Sequence, residues 1–204
     1  MSVGEKTTGT KQQRRGQIMD AARRLFWERG YRGTTMPEIA REAGLAAGTL
    51  YLYFPGKGAL YAELLFAGYD LLIERLGAEL NRGGETRDRG EALIDAFLGF
   101  ARDFPEYFDI IFFVLQRESR EGAKGSLDAE QLDRLRAREA ACKAMAAQML
   151  RQAGYTGDQP VTVDAIWSML VGVVFYFRKT GPDRFAAVTA EAKRLILDGV
   201  LGET

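Results

Sequence analysis

Apolar residues recur at helical spacing along almost the whole chain, and no stretch shows the period-two alternation of a strand. From Gln12 to Arg29, Ile18, Ala22, Leu25 and Phe26 predict a helix, and Gly30 is its stop. Thr35-Met36-Pro37-Glu38 then reads as a capping box with proline in the first turn, where a missing N–H costs little. This short helix carries Ile39 and Ala40 and ends near Gly44. After Gly44-Leu45-Ala46 a second short helix holds Thr49 to Phe54, and Pro55-Gly56 ends it. Two short helices joined by a glycine-bearing turn make a helix-turn-helix. Neither is long enough to stand alone, so Ile39, Ala40 and Leu45 must be buried against the helix before them.

The later pattern is also helical. Gly58 to Leu80 is amphipathic, with Leu64, Leu65, Leu71, Leu72 and Leu76, and Asn81 to Arg87 is a polar loop. Leu93, Phe97, Phe100 and Phe104 share one helix face. Pro105 opens an element in which Ile110 to Leu115 is apolar on every side, and Glu121 to Ser126 reads as a loop. Leu127 to Ala153, Pro160 to Thr180 and Asp183 to Leu201 complete the set. The expectation is an all-α protein: a flexible arm over 1–11, a three-helix helix-turn-helix domain over 12–56, and a helical domain over 57–204.

Charge sharpens that division. Lys plus Arg balance Asp plus Glu at 28 each. Yet residues 1–60 hold 10 basic and 5 acidic side chains, and the rest hold 18 and 23. A basic end on a neutral chain suits a polyanion such as nucleic acid. There is no histidine and one cysteine, Cys142. Zinc sites built on histidine, histidine acid–base chemistry and an intramolecular disulfide are therefore excluded, and a buried, inert Cys142 is expected. No metal, cofactor or catalytic group is expected. The polar N-terminus lacks the apolar core of a secretory signal. The most apolar run, Ala165 to Phe177, is 13 residues, short of the roughly 20 that span a bilayer. A cytoplasmic protein without a membrane partner is expected.

Within the second short helix Leu50 and Phe54 face inward, which turns Thr49, Tyr51 and Tyr53 outward or to the flank. Hydroxyls suit phosphates and base edges, Gly48 permits close approach to a backbone, and Lys57 opens the next helix where a phosphate is favoured. The same tyrosines could instead be ordinary packing residues.

The run from Ala21 to Tyr31, with Thr34-Thr35, Ile39-Ala40, Ala43-Gly44, Gly48-Thr49-Leu50-Tyr51, Tyr53-Phe54 and Lys57, resembles the TetR/AcrR family of transcriptional regulators over about residues 14–65. That resemblance implies a dimeric regulator, most often a repressor, released from a double-stranded operator by a small-molecule effector that tilts the helix Gly58 to Leu80. It places DNA contacts at Thr35, Gly48, Thr49, Tyr51, Tyr53 and Lys57. Where relatives often carry Ser followed by a polar residue, this chain has Ala46-Ala47. Ala46 cannot cap, and Ala47 can meet a thymine methyl but not hydrogen-bond a base.

An apolar or amphipathic effector is expected among Phe97, Phe100, Phe104, Phe108, Phe112, Trp167 and Phe175, although aromatics at helical spacing are also plain core. Arg102 and Arg117 flank this stretch without interrupting it. A homodimer is expected through the last two helices, where Ala165, Gly172, Ala187, Ala190 and Leu195 permit close helix approach. The alternatives are an architectural DNA binder without an effector, or an activator.

Overall fold

The helical pattern is realised throughout the computed structural model, which describes residues 3–80, 82–114 and 127–202. Leu115, Arg117 and the loop expected over 121–126 lie outside the described residues. Every regular element described is helical: α1 (Val3–Arg29), α2 (Met36–Glu42), α3 (Ala47–Tyr51), α4 (Lys57–Leu80), α5 (Thr86–Asp103), α6 (Pro105–Asp109), α7 (Ala129–Gln152), α8 (Gln159–Phe177) and α9 (Pro182–Leu201). A π-helical turn, Ile110–Val114, follows α6. α1 starts at Val3, so the backbone expected as a flexible arm over 1–11 is helical from there on. Extending a helix already packed through Ile18 needs no new nucleus, which lets a polar stretch join it.

Two compact units partition the chain. The first holds Met1–Gly68 and Glu106–Leu135, the second Tyr69–Pro105 and Arg136–Thr204. The first unit thus runs past the expected boundary at residue 56 and takes in a distant segment. The reason lies in contacts between residues far apart in sequence. Trp27 Nε1 donates to Asp109 Oδ2 at 2.9 Å, Tyr61 Oη donates to the Ile110 carbonyl at 3.1 Å, and Arg23 pairs with Glu106 at 2.8 Å. Gly68 makes the approach possible: a Cβ there would lie 2.9 Å from Ile111 Cδ1.

In this unit the α1 face Ile18, Ala21, Ala22, Leu25 and Phe26 is buried, together with Ile39, Ala40, Leu50, Phe54 and Tyr61. The Phe26 ring lies 5.4 Å from Tyr61 and 5.6 Å from Tyr31. Each of the Ile, Leu and Phe side chains among them contributes about 1.5–3 kcal/mol by leaving water. The capping box forms as expected: the Thr35 amide donates to Glu38 Oε2 at 2.8 Å, and the Glu38 amide donates to Thr35 Oγ1 at 3.4 Å. The Thr35 hydroxyl and then the Thr35 amide, both donating to Glu38 Oε2, hold the Glu38 carboxyl below its ordinary range. At the turn Gly44 has φ +67°, a left-handed conformation that side chains resist.

The second unit buries Leu72, Leu76, Phe97, Phe100, Cys142, Val163, Leu170, Val174, Ile196 and Leu197. Its rim carries ion pairs: Lys193 with Glu91 at 2.6 Å and Asp95 at 3.1 Å, Arg87 with Asp198 at 2.8 Å, and Arg138 with Asp70 at 2.8 Å. Such partly exposed pairs give orientation more than stability, each being worth about 0–1 kcal/mol.

Candidate functional site

The first candidate surface is built on α3. Leu50 and Phe54, four residues apart, are buried and anchor the helix. Ala47 and Gly48 are exposed, Thr49 and Tyr53 half-buried, and Tyr51 is 49% exposed. Five of the seven expected DNA contacts therefore lie on α3 or within two residues of its end. Thr35 is exposed at the start of α2, with its hydroxyl donating to Glu38 Oε2 at 2.7 Å. Ala46, the N-cap of α3, makes no side-chain cap bond.

Lys57, expected as a phosphate contact, is engaged within the unit. Its ammonium donates to the Tyr31 and Thr34 carbonyls, both at 2.8 Å, and sits 4.3 Å from the centre of the Tyr31 ring. The loop after α1 ends in two carbonyls, and a cation at the start of α4 reaches both. The Thr34 hydroxyl donates back to Gly30 O at 2.9 Å and Leu25 O at 3.2 Å. Leu52 was missed by the pattern reading. It is 81% exposed. The signal was present: Leu50 and Leu52 are about 200° apart on a helix, so burying one exposes the other.

The second candidate site lies within the second unit. Two apolar recesses, about 440 and 390 Å³ with their open mouths included, share the lining residues Leu93, Ile94, Ala146 and Ile166. The larger continues along Ile196, Leu197 and Val200 of α9. The smaller is closed by Phe97, Cys142, Trp167 and Leu170. Phe97 and Trp167 meet edge to face at 5.1 Å. Burial, then the nearby Glu139 carboxylate, pushes the Cys142 thiol up to about 12, so it stays neutral and unreactive at ordinary pH.

Of the expected pocket residues, Phe97 and Trp167 line the smaller of these two recesses. Phe100 is fully buried beside Phe104, ring centres 5.8 Å apart, and the Arg75 guanidinium covers Phe104 at 4.9 Å. Phe108 and Phe112 belong to the first unit, where their rings pack at 4.6 Å as core. Phe175 is 46% exposed. The aliphatic and small lining residues were overlooked because an aromatic cluster is conspicuous in a sequence and a Leu-Ile-Ala wall is not.

A third surface runs along α8 and α9. Ala165, Ala187 and Ala190 are exposed, Leu195 is 50% exposed, and nothing lies within 4 Å of a Cβ built on Gly172. Val161, Met169, Phe175 and Tyr176 extend this apolar stripe on α8. By length and composition α8 is the one described helix apolar enough to cross a membrane, with a mean hydropathy of 1.6. Its opposite face, Val163, Leu170, Val173 and Val174, is buried in the unit, and Asp164 in its second turn pairs with Lys143 at 3.0 Å. Among the described residues no three His, Cys, Asp or Glu side chains are placed to hold a metal ion.

A capped α2, a glycine turn and an α3 anchored by two buried side chains define a helix-turn-helix protein. The chain matches, over residues 18–64, the model of the family described as bacterial regulatory proteins, tetR family. It is 33% identical over 102 residues to the HTH-type transcriptional activator FasR of Mycolicibacterium smegmatis, covering 50% of this chain and 47% of the relative. It is 37% identical over 87 residues to the HTH-type transcriptional repressor KstR2 of Rhodococcus jostii, covering 43% of each. These matches span less than half the length of the curated relatives. The fold is also that of the regulator FadR from Bacillus subtilis, solved in complex with stearoyl-CoA, at a TM-score of 0.72 and 20% identity over 92% of this chain and 98% of that one.

Proposed function

We propose that the protein is a sequence-specific DNA-binding transcriptional regulator that acts in the cytoplasm as a two-fold dimer and leaves its operator when an apolar or amphipathic small molecule binds the second unit. One observation carries this reading. α3 is held by Leu50 and Phe54 so that Ala47, Gly48 and Tyr51 face solvent, within the segment that matches the family. A helix so presented fits the major groove, and a dimer places two of them at fixed half-site spacing. Exposure of Ala165, Ala187, Ala190 and Leu195 supports pairing of α8 and α9 with a second copy.

The two recesses support an effector over an architectural binder. Their walls carry no charge, so a hydrocarbon fits them and a buried polyanion does not. The stearoyl-CoA bound by FadR of Bacillus subtilis makes an acyl chain the first probe. α4 has residues in both units, Lys57–Gly68 and Tyr69–Leu80, which gives a ligand a continuous element to act on. The effector must bind the DNA-free state more tightly to release the operator.

The test is selection of a duplex from a random library, followed by anisotropy titration with stearate and stearoyl-CoA. Binding with a steep salt dependence, lowered by an acyl probe, is expected. Failure to enrich any duplex overturns the reading. The name of FasR favours activation as the second reading, and a reporter carrying the selected duplex separates it from repression.

A further inference from the structure

The recognition surface has an unusual chemistry. From Ala43 to Gly56 no residue is Asp, Glu, Lys, Arg, Asn or Gln, in a chain that is 27% charged. Within that run the only side chains able to hydrogen-bond are Thr49, Tyr51 and Tyr53. The usual readers of the major groove are therefore missing from it. Guanine is read by Arg or Lys, adenine by Asn or Gln, and cytosine by Asp or Glu. What the major groove offers to an apolar side chain is the C5-methyl group of thymine.

Leu52, the C-cap residue of α3, offers an exposed apolar side chain for such a contact. It lies opposite the buried Leu50 on the outer side of α3, and 81% of it is exposed. Ala46, Ala47 and Gly48 at the start of α3 are exposed and small, and Tyr51 beside Leu52 is 49% exposed. Charge is supplied from outside the run. Lys11, Arg14 and Arg24 on α1 and Arg41 on α2 are exposed. Such side chains suit phosphates, which fix position on the duplex without reading sequence.

We infer that Leu52, with Ala47, reads thymine methyl groups, so that the protein distinguishes its operator by apolar contact and not by hydrogen bonds from charged or amide side chains. The inference rests on the DNA-binding reading above and goes beyond it in naming the base, the atom and the residue.

The experiment uses the full chain and the duplex obtained by selection. Each thymine is replaced in turn by deoxyuridine, which removes only the methyl group. At one thymine or more in each half-site the affinity is expected to fall about fourfold, the value of one buried methyl, and about fifteenfold when both half-sites are changed. Leu52→Ala removes an exposed side chain and leaves the core intact. It is expected to weaken the thymine duplex and abolish the difference between thymine and deoxyuridine at that position. Equal affinity for thymine and deoxyuridine duplexes at every position overturns the inference and leaves DNA binding standing. So does a Leu52→Ala protein that keeps the full thymine preference. If no duplex is selected, the DNA-binding reading has failed and this inference falls with it.

Discussion

The two units differ in how they dispose of apolar surface. In the first, Phe26, Tyr31 and Tyr61 close on one another, and each is less than a tenth exposed. Several of its inner polar groups are matched, Thr34 on Leu25 and Gly30, Lys57 on Tyr31 and Thr34, Tyr61 on Ile110. Among the described residues, apart from Trp27, the large apolar side chains it exposes are Tyr51 and Leu52, at the end of α3. The second unit leaves Val161, Met169, Phe175, Tyr176 and Leu195 in solvent and keeps two open recesses in its interior. A unit complete in itself presents a small, fixed surface. A unit that leaves such surface open is suited to be finished by other molecules, which under the proposed function are a second copy and a ligand.

The strongest challenge to that contrast is to charge the surface of α8 and α9. Gly172→Glu combined with Ala190→Glu should convert a dimer of twice 22.7 kDa into a single chain, as light scattering measures. Each carboxylate buried without a partner costs several kcal/mol, so the dissociation constant should rise by more than about a thousandfold. Both positions are open in one copy, so helix content by circular dichroism should not change. A doubly substituted protein that remains dimeric would place the interface elsewhere and leave the stripe on α8 without this explanation.

The same contrast governs what could be read from the chain alone. The first unit was legible where its rules are local. The capping box at Thr35, the left-handed turn at Gly44 and the inward pair Leu50 and Phe54 each follow from residues within four positions. Its closure by Asp109 and Ile110 was not legible, because those partners are 82 and 49 residues away from Trp27 and Tyr61. In the second unit small residues at helical spacing marked a face on α8 and α9, on which Ala165, Ala187 and Ala190 are exposed. The walls of the two recesses were legible only where they are aromatic. Phe97 and Trp167 were named, but Phe108 and Phe112 share their aromatic character and belong to another core. Periodicity says which face of a helix is buried and is silent on what it is buried against.

Lys57 offers a finer test, because two roles predict opposite results. As a phosphate contact, its loss should lower the log–log salt slope of DNA binding by about one and leave the fold alone. As the donor to the Tyr31 and Thr34 carbonyls, its loss strands two acceptors beside a packed ring. Lys57→Met keeps the stem and removes the charge. The geometry predicts a loss of about 1.5–3 kcal/mol in urea unfolding, with an unchanged salt slope. A lower slope at unchanged stability would return Lys57 to the DNA surface.

The smallest expected effect concerns the N-terminus of α3. Ala46 has φ −67° and ψ 143°, the extended conformation of an N-cap, yet it offers no side-chain acceptor. Thr35 does the same task for α2 with both bonds of a capping box. Ala46→Ser supplies an oxygen that can accept from the Gly48 or Thr49 amide, and no backbone change is needed. The gain in urea unfolding should be about 0.5–1 kcal/mol, whereas Thr35→Ala should cost about 1–2 kcal/mol. α3 has five residues and cannot fold alone, so a local gain reaches global stability only through the docking of Leu50 and Phe54. If Ala46→Ser gives no gain while Thr35→Ala is costly, α3 opens separately from the rest of the first unit, and that unit is less complete in itself than its buried core implies.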